Sequence, residues 1–108
     1  MLNKETSNIA SALKNGLLQL YGQRLEKLLL FGSHARGDYR DDSDIDFMIV
    51  LNDEKLNVSK EIKHIVKVKH PLILEHNKEI NSIPISLNRY ETERSPLLYF
   101  VRKEAIEV

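Results

Sequence analysis

The sequence predicts a small α/β domain, with one sheet of buried strands covered by amphipathic helices on one face or both. Three observations carry this. Two apolar runs, Leu28–Phe31 and Ile45–Leu51, are too short for free helices and read as strands buried on both sides. Segments with apolar residues at three- and four-residue spacing alternate with them. The chain has 108 residues, 42% of them apolar, and no repeat, low-complexity tract or Pro/Gly linker divides it. A single domain over residues 1–108 is the expectation.

The first element is a helix. Ile9, Ala12, Leu13, Leu17 and Leu20 recur at helical spacing, Thr6 or Ser7 can cap the start, and Gly22 after Tyr21 can stop it. A strand follows at Leu25–Phe31, closed by Gly32. The second strand, Ile45–Leu51, lines one face with Ile45, Phe47 and Ile49, while Asp44, Asp46, Met48 and Val50 line the other. Carboxylates therefore gather at the entry of a buried strand. From about Val58 to His76, Ile62, Ile65, Val66, Leu72 and Ile73 predict a helix that Pro71 should kink or split. A third strand falls around Ile80–Leu87, where Ile83, Ile85 and Leu87 share a face and Pro84 favours a sheet edge or an irregular pairing. Glu93–Glu104 reads as a helix carrying Leu97, Leu98 and Val101, opened by Ser95 and Pro96. Ile106–Val108 adds a short strand.

Composition removes several function classes. Sixteen Lys plus Arg balance 16 Asp plus Glu, so no broad positive field is available to hold a nucleic acid backbone. The lack of cysteine rules out disulfides and thiolate metal sites, and four scattered histidines do not fall at zinc spacing. No apolar run approaches a signal-peptide core or a membrane span, which makes a cytoplasmic protein without a membrane partner the expectation.

The chemistry concentrates in residues 32–46, GSHARGDYRDDSDID. Gly32 and Ser33 follow the first strand directly, and a chain turning there into a short helix aims backbone N–H groups and a hydroxyl at one point, where phosphate is the natural occupant. Asp44 and Asp46 leave one strand face with Cα atoms roughly 6.5 to 7 Å apart. As hard oxygen ligands they suit Mg²⁺ that is also held by substrate phosphates. Arg36 and Arg40 lie between the two halves and can neutralise phosphate charge, whereas His34 has no evident task. Singly these pieces have plainer readings, as an ordinary turn, solvated aspartates and surface arginines. Their combination within one crossover favours a metal–nucleotide site.

This stretch resembles the nucleotidyltransferase superfamily of the DNA polymerase β type, and in its compactness the minimal nucleotidyltransferases of prokaryotes. The pattern there is G-S-x-A-R-G, a spacer, then S-D-x-D and apolar residues. Gly32, Ser33, Ala35, Arg36, Gly37, Ser43, Asp44 and Asp46 match it, with Phe47 to Val50 as the apolar continuation. The C-terminal part, from INSIPISL to the end, is more loosely similar. The resemblance implies a mixed β-sheet flanked by helices, and a nucleotide site in which Gly32, Ser33, Arg36 and Ser43 hold ATP. It also implies that Asp44 and Asp46 bind catalytic Mg²⁺. Many members add a third acidic residue on the later strand, but no aspartate follows Asp53 here. Glu79, which shares strand parity with Asn81 and Ile83, is the best substitute as a third catalytic residue, and Glu75 a weaker one.

So short a chain leaves little surface for a closed pocket around base and acceptor together. Minimal nucleotidyltransferases commonly pair with a helical HEPN protein as antitoxin and toxin, and transfer AMP to a tyrosine hydroxyl of that ribonuclease. The chain lacks the arginine–histidine pattern of the HEPN side, so the resemblance implies the antitoxin, an adenylyltransferase in a hetero-oligomer with its toxin. Two other readings stay open: an antitoxin that neutralises by binding alone, and a transferase acting on a small molecule such as an aminoglycoside.

Overall fold

In a computed structural model, which describes residues 2–108, strands β1 (Leu25–Phe31), β2 (Ile45–Leu51), β3 (Ile80–Ser86) and β4 (Ile106–Glu107) form one sheet in the order β3-β2-β1-β4. β2 runs antiparallel to β1, with Leu28 opposite Ile49 and Phe31 opposite Asp46. It runs parallel to β3, with Asp46 opposite Asn81. The sheet is therefore mixed, and Pro84 lies on an edge strand, where its missing N–H costs no ladder bond.

Strand alternation divides the core in two. Leu28, Leu30, Ile45, Phe47 and Ile49 pack under α1 (Lys4–Tyr21) and α3 (Val58–His76), meeting Ile9, Leu13, Leu17 and Ile65. On the other face Leu29, Met48, Val50 and Ile85 meet Leu98 and Val101 of α5 (Pro96–Glu104). The first face carries two long helices; the second carries shorter ones. Among the described residues no helix is long and apolar enough to cross a membrane.

Several expectations need correction. Asn3, not Thr6 or Ser7, caps α1, its Oδ1 accepting the Thr6 N–H at 2.7 Å; Thr6 itself is buried. Gly22 stops the helix at φ 55°, as expected. Leu20 is exposed, whereas Ala10 and Tyr21 join the core. Pro71, expected to kink or split α3, does not split it: the helix is continuous from Val58 to His76. The proline faces solvent, so the carbonyl it leaves unpaired can turn to water. β3 stops at Ser86, one residue short of Leu87, because the Ser86 hydroxyl accepts the Arg89 N–H and opens an unexpected helix, α4 (Leu87–Thr92). Ile83 and Ile85 share a face as expected, opposite Met48 and Val50, but only Ile85 is buried there. The last helix starts at Pro96 with Ser95 as cap, leaving Glu93 and Arg94 outside it.

Candidate active site

β1 ends at Gly32, whose φ of 76° lies in the region that favours glycine. Space demands glycine there too, since a Cβ would run into the Asp46 carboxylate. The chain then makes a single turn, α2 (Ser33–Arg36), in which Ala35 and Arg36 donate their N–H groups to the Gly32 carbonyl at 3.1 Å each. The N–H groups of Ser33 and His34 precede this ladder and stay outside it. Gly37, at φ 91°, closes the turn by donating to the Ser33 carbonyl at 2.8 Å. The Ser33 hydroxyl makes no hydrogen bond among the described residues. The bend expected at Gly32 and Ser33 is thus formed, and donors without a partner among the described residues could serve an anion there.

Asp46 is half-buried against Gly32 at the entry of β2, and Asp44 is exposed just before it. One side chain ties them together: Asn81 Nδ2 donates to Asp44 Oδ2 at 3.2 Å and to Asp46 Oδ1 at 3.0 Å. The structure therefore brings together Asp44, Asp46, Gly32 and a residue that the sequence reading used only as a parity marker. The signal that finds Asn81 is the pairing register of β2 with β3, which sets it opposite Asp46.

Glu79 and Glu75 are not brought to this pair. Glu79 is exposed and offers its backbone carbonyl to the Ile45 N–H at 2.9 Å. Its charge is felt by Lys69 of α3, whose pKa burial lowers and Glu79 partly restores. Glu75 lies 3.9 Å from the His76 ring at the end of α3. Among the described residues, no three His, Asp or Glu side chains converge as a metal cluster. Two hard carboxylate oxygens joined through one neutral amide still fit a divalent cation such as Mg²⁺, which would neutralise charge that the amide leaves in place.

His34 has a task after all. It is 5% exposed, with Nδ1 3.3 Å from the Thr6 hydroxyl and Nε2 3.2 Å from the Ser43 carbonyl. Facing a carbonyl, Nε2 carries the proton and Nδ1 accepts from Thr6. Its ring stacks on Tyr39 with centroids 4.5 Å apart, and the Tyr39 hydroxyl accepts from Asn3 Nδ2 at 2.8 Å. The crossover is thereby pinned to the first turn of α1. Ser43 serves the same loop: its hydroxyl accepts the Arg40 N–H at 2.8 Å. Arg36 pairs with Asp38 at 3.2 Å and Glu104 at 3.4 Å, and both contacts raise its pKa, Asp38 the more. Arg40 is exposed with a free guanidinium among the described residues.

The sequence profile of a family described as Nucleotidyltransferase domain matches residues 10–105. A Methanocaldococcus jannaschii protein that bears, by inference, the name protein adenylyltransferase is 36% identical over 69 residues, 64% of this chain. The match spans 62% of that relative, somewhat under two thirds of its length. A Sulfolobus solfataricus crystal structure, described by inference as a nucleotidyltransferase, superimposes with a TM-score of 0.62 at 21% identity, covering 97% of this chain and 86% of that one. A toxin–antitoxin crystal structure with AMP-PNP gives a TM-score of 0.58 at 18% identity over 88% of this chain and 68% of the other. The two structures share the fold of this chain.

Proposed function

The chain belongs to the Nucleotidyltransferase domain family, and from that premise we propose that it is an antitoxin that transfers AMP from ATP to a tyrosine hydroxyl of a helical HEPN-type toxin, with residues 1–108 acting as one catalytic domain. The observation that carries this reading is the acid pair at the Gly32 bend, where Asp44 and Asp46 share the Asn81 amide within the fold's own crossover. The protein adenylyltransferase name of the relative and the toxin–antitoxin neighbour support a protein acceptor and a toxin as partner.

In this reading the free N–H groups and hydroxyl at Gly32 and Ser33 hold the outer phosphates, and Arg36 and Arg40 lower the charge around them. Ser43 keeps the crossover in shape. Asp44 and Asp46 hold Mg²⁺, which when bound supplies charge neutralisation at the α-phosphate and alignment of the attacking and leaving oxygens. The acceptor oxygen forms a bond to the α-phosphorus, the bond to the bridging oxygen breaks, and pyrophosphate leaves. The hydroxyl proton goes to water or to a base brought by the acceptor, since the Asn81 amide cannot take it.

The test is incubation with labelled ATP, Mg²⁺ and the toxin encoded beside this protein. Label on a toxin tyrosine, lost with Asp44→Asn plus Asp46→Asn, is the expected result. Label on an added aminoglycoside, with none on the toxin, overturns it. A second reading, neutralisation by binding alone, is favoured by one observation: a neutral amide, not a third carboxylate, completes the acid pair. Under it the double variant still silences the toxin.

A further inference from the structure

Beside the Gly32 bend, on the face of the sheet covered by α5, opens a cleft of about 430 Å³ lined by Phe31, Gly32, Leu97, Phe100 and Val101, with Arg36 and Glu104 as its charged members. Gly32 belongs to both the cleft and the bend. Phe31, the residue before it, lies opposite Asp46 in the sheet. The cleft therefore continues the proposed phosphate site without a gap.

Its lining is not used up by the core. α5 buries Leu98 and Val101 against the sheet but leaves Leu97 43% and Phe100 53% exposed. Exposed apolar side chains gathered around a concavity mark a binding surface more often than isolated ones do. The volume lies at the low end of small-ligand pockets and suits a flat heterocycle, not a packed helix. Arg36 and Glu104, 3.4 Å apart, bring donors and an acceptor for a polar ring edge. A second cleft, lined by Glu54, Lys55, Pro84 and Arg89 among others, is near the Ser86 end of β3, about 16 Å along the strand from Asn81. It shares no lining residue with the first cleft.

Resting on the nucleotidyl-transfer reading, we infer that the cleft at Phe31, Leu97 and Phe100 is a nucleobase subsite, in which the base stacks on the Phe100 ring while its phosphates lie at Gly32 and Ser33. Stacking on an aromatic face is available to every base, so this subsite contributes affinity first and discrimination second. A pocket open on one side also leaves the acceptor free to approach.

Calorimetric titration of the whole chain with Mg²⁺-ATP and with Mg²⁺-tripolyphosphate tests this. Phe100→Ala and Leu97→Ala, both at exposed positions, are expected to weaken ATP by about tenfold each and to leave tripolyphosphate unchanged. Because the chain has no tryptophan, Phe100→Trp adds a single reporter whose fluorescence ATP should quench and tripolyphosphate should not. Unchanged ATP affinity in both alanine variants overturns the subsite, as does equal weakening of both ligands. Loss of toxin binding with ATP affinity intact assigns the cleft to a protein side chain and also overturns it. If the native chain binds neither ligand, the nucleotidyl-transfer reading falls, and the inference with it.

Discussion

The two ends of the sheet treat carboxylates in opposite ways. At the end away from the bend, Glu61 is almost fully buried, accepting the Tyr21 hydroxyl at 2.9 Å and Arg24 Nη2 at 3.1 Å. Arg24 also grips Asp53 with two bonds, at 3.0 and 2.9 Å. Those acids are neutralised by the fold itself. At the bend, among the described residues, Asp44 and Asp46 have only the neutral Asn81 between them. Charge that a protein balances internally serves the fold, whereas charge left for something else to balance is available for chemistry.

The strongest way to break this contrast is Asp44→Asn with Asp46→Asn. Transfer of labelled AMP should fall by at least about a thousandfold. Thermal melting should show no loss of stability, because two repelling charges are removed. Glu61→Ala should do the reverse. It strands the buried Tyr21 hydroxyl and removes one of the Arg24 contacts, leaving those to Asp53, so urea unfolding should show a loss of about 2–3 kcal/mol while ATP affinity stays unchanged.

Asn81→Asp sharpens the comparison by adding a negative charge where the pair is least balanced. Calorimetry should show Mg²⁺ binding about tenfold tighter, and without metal the melting temperature should drop slightly. An unchanged Mg²⁺ affinity would argue against Asp44 and Asp46 as ligands. The smallest effect is at Tyr21. Burial first, and then its bond to Glu61, raise its pKa above the ordinary tyrosine value. The protonated form is thus favoured in the folded state, and this contribution is whole below about pH 10 and lost as pH rises further. Tyr21→Phe should flatten the fall in urea midpoint above about pH 10.

The bend and the strands around it were legible because they depend on local signals: continuous apolar runs, a glycine at a reversal, and two acids of equal parity. Asn81 was not, because its role depends on the register between β2 and β3, strands that periodicity describes only one at a time. Glu79 has the same parity yet lies two residues away, beside Lys69. Asn3, Thr6 and Ser7 can all cap a helix; Asn3 does so here, and the Thr6 side chain is turned inward to His34. The continuity of α3 through Pro71 depends on which side of the helix meets water, and α4 is too short to leave a periodic trace.

The brace running from His34 and Tyr39 to Thr6 and Asn3 has one practical consequence. A loop transplant of residues 32–46 into another scaffold would carry the signature residues but leave behind half of what props them up. Faithful grafting would have to include the opening helical turn, which no search for the signature would flag.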